Sequence, residues 1–145
     1  MSIPKPQKKP KSKNWAFISC KRRGLKSTRN KLMASLDTIF SKLVRARDNH
    51  ACRKCGRTRV FCHHIFTRKY LGTRWYLQNG ISLCHPCHRE AHTDPLRFHA
   101  WLKLWMGKEY DLLEWKANRI TKFNEAELEI LKSDLRAQLK KLEAA

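Results

Sequence analysis

Residues 52–92 read CRKCGRTRVFCHHIFTRKYLGTRWYLQNGISLCHPCHREAH, and the fold turns on this stretch. It holds two Cys-x-x-Cys pairs, Cys52 with Cys55 and Cys84 with Cys87. Two intervening residues make a tight knuckle that lets both thiolates reach one tetrahedral Zn2+, and two knuckles close the shell. A closed site of four cysteines is structural: it stands in for a core that so short a segment cannot build. Cys62 and Cys20 have no such partner and read as small buried side chains.

The same stretch carries His63, His64, Asn79, His88 and His92. Thr58 to Ile65 reads as one strand and Gly80 to Leu83 as another, with an irregular basic loop between them. Pro86 suits a first helical turn, so His85 to His92 reads as a short helix. There His88 and His92 are i, i+4 and share a face, while Cys87 points about 100° away. One helix can thus serve zinc on one side and a second metal on the other. The histidines could instead complete the zinc site, but four cysteines already fill a tetrahedral shell.

The run C-x-x-C, His-His, Asn, C-x-x-C-His-x-x-x-His resembles the HNH (ββα-metal) endonuclease motif. The spacing from His64 to Asn79, and from His63 to His88 and His92, is similar to that of the DNase colicins. Those toxins lack the cysteine frame, which many phage and restriction HNH enzymes have. Over more of the chain, the layout from the first helix through Arg74, Asn79, Cys84 and Cys87 to the helical C-terminus resembles the phage NinG (Rap) recombination nucleases, which act on branched DNA such as Holliday junctions. The chain departs from that family in being richer in histidine and in lacking an extra N-terminal cysteine-rich segment.

The resemblance implies a metal-dependent DNA endonuclease. His63, His88 and His92 would hold a divalent cation, His64 would be the general base, and Asn79 would brace the loop behind it. Adjacent strand residues face opposite ways, which suits one histidine binding metal while its neighbour transfers a proton; the spacing does not say which does which. Histidine ligation suits Zn2+, Ni2+ or Co2+, and Mg2+ or Mn2+ can serve when substrate phosphate completes the shell. Arg68, Lys69 and Arg74, with Tyr70, Trp75 and Tyr76, form the natural DNA-contacting loop. Core packing is an equal alternative for Trp75 and Tyr76.

Outside this stretch the reading is mostly helical, giving an α+β fold built around the zinc-stapled core. Leu32, Met33, Leu36, Ile39, Phe40, Leu43 and Val44 mark an amphipathic helix over about 30–48. Further helices are expected near 96–106, 110–120 and 125–143, with Gly107 separating the first two and Asn124–Glu127 as a capping box for the last. Leu128, Leu131, Leu135, Leu139 and Leu142 form a stripe that leaves a homodimer seam open, although so short a stripe usually packs on its own domain. The expected organisation is a basic, largely disordered arm over 1–29, a nuclease domain over 30–120 and a C-terminal amphipathic helix over 121–145. Trp15, Phe17 and Ile18 would dock on the domain, and Lys21, Arg22 and Arg23 would continue the DNA-binding strip.

Of the 145 residues, 32 are Lys or Arg and 12 Asp or Glu, a net charge of +20. Ordinary small domains carry a net charge of magnitude about 2–8, so the excess implies a polyanionic partner. The cysteine usage reads as metal ligation in a reducing, cytoplasmic compartment, a bacterial host cell if the phage likeness holds. Neither a membrane span nor a secretory signal is legible. Two other readings remain: a non-catalytic zinc-stabilised DNA-binding recombination mediator, and an RNA-associated zinc protein. Both use the charge and the cysteines, and neither accounts for the histidines.

Overall fold

A computed structural model describes residues 27–144. The expectations for Trp15, Phe17, Ile18, Cys20, Lys21, Arg22 and Arg23 lie outside the described residues. The architecture is α+β and mostly helical. Its elements are α1 (Thr28–Arg47), β1 (Val60–His64), a one-turn α2 (Leu71–Arg74), a 3-10 turn (Leu77–Asn79), β2 (Gly80–Cys84), α3 (His85–Thr93), α4 (Pro95–Met106), α5 (Lys108–Ala117) and α6 (Glu125–Glu143). No helix among them is long and apolar enough to cross a membrane.

β1 and β2 form an antiparallel hairpin in which His63 lies opposite Ile81 and His64 opposite Gly80. Every residue of β2 is buried, because both faces of the hairpin are covered. On one face Ile81 and Leu83 join Ala91, Phe98, Leu102, Tyr110 and Leu113 in a core shared with α3, α4 and α5. On the other, α1 packs its Leu36, Ile39, Phe40, Leu43 and Val44 with Trp75, Leu128 and Leu135 in a second core. The hairpin is the wall between the two cores.

Gly80 sets how closely that wall meets α1. A methyl group there would lie 2.3 Å from Val44 Cγ2 and 2.8 Å from Phe40 Cζ, contacts that no packed core accommodates. The end of α1 is then tied to β2 through Asp48, which accepts from the Ser82 amide at 2.9 Å. Arg47 forks onto Asp48 and donates to the carbonyls of Leu77 and Gly80.

Several boundaries differ from the sequence reading. β1 starts at Val60 rather than Thr58, because Arg59 takes a left-handed φ of 59° that no strand continues through. The basic loop is not irregular throughout: it holds α2 and the 3-10 turn, each too short to leave a periodic signature. α5 ends at Ala117, leaving Ile120 exposed beyond it. α1 starts at Thr28, two residues inside the segment read as the arm, with Ser27 accepting from the Asn30 amide as its cap. The capping box at Asn124 and Glu127 is present. The leucine stripe of α6 packs on α1, burying Leu128 and Leu135, and Arg29 donates to the Phe123 carbonyl at 2.6 Å. The C-terminal helix and α1 therefore share one core.

Candidate metal centre

The four cysteines converge from two elements. The turn after α1 presents Cys52 and Cys55, and Gly56, at a φ of 74°, lets its amide return to the Cys52 carbonyl at 2.8 Å. The end of β2 and the first turn of α3 present Cys84 and Cys87. The four sulfurs lie within 4.8 Å of one another, with Cys55 to Cys84 at 3.5 Å and Cys55 to Cys87 at 3.7 Å. A tetrahedron with Zn–S bonds of about 2.3 Å has edges of about 3.8 Å, so the set fits zinc. Burial pushes the Cys52 thiol up, but the amides of Cys84, Lys54 and Cys55 point at its sulfur and bring it down to about 7. At Cys52 that donor pattern favours thiolate, the form that ligates, whereas burial pushes the Cys84 and Cys87 thiols up. The cluster can hold a zinc ion with no carboxylate or hydroxyl in the set.

A second cluster stands on a different side of α3. His63 comes from β1, and His88 and His92 from successive turns of α3; one ring nitrogen of each lies within 4.8 Å of the others. Their ring centroids are 4.7–5.2 Å apart, and His63 backs edge-on against Phe98. Burial holds the His63 pKa down to about 3, aided by His88 and His92, which keeps the ring neutral as ligation requires. His88 and His92 are less buried, so the cluster faces outward on its α3 side.

His64 leaves β1 on the other face. Its ring stacks on Phe40 of α1 at 5.0 Å, and its Nε2 lies 3.1 Å from the Arg74 carbonyl oxygen. A carbonyl only accepts, so Nε2 carries the proton and Nδ1 of the neutral ring keeps its lone pair. Burial, then the Arg68 charge, holds the His64 pKa below the usual imidazole value. Asn79 is fully buried, and its amide grips the backbone of Phe66: Oδ1 accepts from the amide at 2.7 Å and Nδ2 donates to the carbonyl at 2.9 Å. The Asn79 carbonyl accepts from Ile65 as well. The chain leaving His64 is thereby fixed.

Of the basic residues read as nucleic-acid contacts, Arg68 and Lys69 are exposed, and Lys69 lies over the Tyr70 ring. Arg74 is turned inward. It forks onto Asp37 of α1 at 3.0 and 2.7 Å, with 15% of its side chain accessible. Trp75 is in the second core and donates to the same carboxylate at 2.8 Å, so packing decides its role. Tyr76 is half-buried under Lys116. Cys62 is half-buried and burial pushes its thiol up to about 11, in keeping with an inert side chain.

Asp37 is the residue that sequence reasoning passed over. Burial pushes its carboxyl up, yet hydrogen bonds from Arg74 and Trp75 and the charges of Arg74 and Arg68 hold it below the usual carboxylate range. It fixes Arg74, whose carbonyl holds His64. One signal was available: Asp37 and Asp48 are the only acidic residues before Glu90, against 22 Lys and Arg, and both are engaged inside. Asp37→Ala is expected to lower stability by about 3 kcal/mol, the low end for breaking a buried pair, since Arg74 and the Trp75 indole both lose their acceptor. Chemical denaturation measures it. A midpoint equal to that of the parent would mean that the fork contributes nothing. No family model, curated protein or solved structure matches the chain.

Proposed function

We propose that the chain is a metal-dependent DNA endonuclease of the HNH type, built on a ββα-metal core. The observation that supports this reading is the hairpin end, where three histidines cluster on one face of β1 and a fourth, with a fixed tautomer, stands on the other. His63, His88 and His92 would hold a divalent cation, which would supply positive charge at the scissile phosphate and the leaving 3′ oxygen. Three protein ligands would leave positions for water and phosphate, unlike the closed cysteine set. His64 takes the proton of the attacking water on Nδ1, while Nε2 stays anchored on the Arg74 carbonyl. Asn79 holds the backbone behind it and contributes orientation rather than proton transfer. The net charge of +20 favours a polyanionic substrate.

The test is incubation of the zinc-loaded protein with linear, nicked and four-way-junction DNA across a panel of divalent metals. Cleavage is expected with at least one metal, ending when that metal is withdrawn; preference for the junction would extend the likeness to branched-DNA nucleases. Tight binding without cleavage under every condition would replace the nuclease by a recombination mediator.

A further inference from the structure

We propose that the groove between α1 and β1 seats a backbone phosphate of the nucleic-acid strand, next to the bond being cut, and that Lys42 and Arg45 bind it. The inference rests on the nuclease reading for its placement and on the groove's own composition for its ligand. The groove has a volume of about 320 Å3, and Ser41, Lys42 and Arg45 of α1 face Cys62, His64 and Arg68 across it. Thr38 lines it too. Thr38, Ser41, Lys42 and Arg45 are three and four residues apart, so they share one stripe of α1, beside the face that buries Leu36, Phe40 and Leu43.

The charge there is uncompensated. Among the described residues Asp37 is the one carboxylate lining the groove, and it is taken up by Arg74, Trp75 and Arg68. Among the described residues neither Lys42 nor Arg45 forms an ion pair. Two cations and Arg68 converging on one small concavity repel one another, and an anion relieves that repulsion. An arginine fork beside a lysine point charge matches the oxygens of a phosphodiester.

Position narrows the ligand further. His64 lines this groove, whereas His63, His88 and His92 cluster on the opposite face of β1. A strand whose scissile phosphate meets the histidine cluster therefore crosses the end of β1, passes His64 and sets its neighbouring phosphate between Lys42 and Arg45. These are substrate-binding residues and leave the proton transfer to His64.

The experiment uses full-length zinc-loaded protein and a labelled DNA duplex, with binding measured across a salt series without added catalytic metal. Lys42→Gln/Arg45→Gln is expected to weaken binding on any sequence and to flatten the salt slope by about 1 for each cation. Lys42→Arg/Arg45→Lys should restore both. Arg97→Gln/Lys108→Gln removes two charges from helices with no residue in the groove, and it should have the smaller effect. In cleavage, the groove variant should raise KM with kcat within a few-fold, the reverse of a lost base. Unchanged affinity and slope, or an equal loss in the control, overturns the proposal. If the parent binds but never cuts, the nuclease reading falls, and the binding series still decides whether the groove takes phosphate.

Discussion

Cys52→Ser is expected to abolish zinc binding and unfold residues 50–93. Structural zinc contributes about 10–16 kcal/mol of binding free energy in small domains, as much as or more than the 5–15 kcal/mol that keeps a typical domain folded. The cysteine cluster joins the turn after α1 to the end of β2 and the start of α3, so losing one thiolate frees all three. Phe98, Leu102 and Leu113 would lose the hairpin face they pack on. The second core, between α1 and α6, includes none of the four clustered cysteines and should keep part of its protection. Elemental analysis and amide hydrogen exchange measure the two halves of the expectation. A parent protein purified without zinc, or a variant with full protection over 50–93, would remove the structural role of the cluster.

The second large effect concerns the chemistry. His64→Ala is expected to lower cleavage by about 10²–10⁴-fold, the usual cost of a general base, while DNA affinity and zinc content stay near parental values. The loss appears in kcat because the group acts mainly in the transition state. His88→Ala should also abolish cleavage, but by weakening the catalytic cation, so excess divalent ion restores part of the activity. No such restoration is expected for His64→Ala. Equal rescue of both variants would make His64 another ligand, and the roles drawn from its tautomer would have to be exchanged.

The two ligand clusters were legible because their spacing is local. A Cys-x-x-Cys knuckle is decided within four residues, and His88 with His92 needs only one helical turn. The amphipathic helices were legible from their period. What escaped was decided by contacts between distant parts of the chain. Nothing near Asp37 announces that Arg74, 37 residues on, will fork onto it, and nothing near Trp75 says whether its ring will meet a base or a core. Gly80 reads as ordinary strand punctuation until Phe40 and Val44 are seen against it. Nothing near Lys42 and Arg45 says that the hairpin will form a groove against them.

Helix α3 has nine residues, and the two clusters leave none of its length to spare. Cys87 and His88 are neighbours that serve different clusters, and each residue of an α-helix advances about 100° around the axis. One amino acid inserted or deleted between them would keep every ligand in the sequence and swing His88 and His92 off the side that faces His63. The hairpin loop from Thr67 to Asn79 supplies no ligand to either cluster and can absorb changes of length at its exposed bends more easily, provided that the Arg74 carbonyl still meets His64 and Asn79 still holds Phe66. Along this chain, then, counting matters more than chemistry between 84 and 92: a gain or loss of one residue there is a heavier lesion than many substitutions.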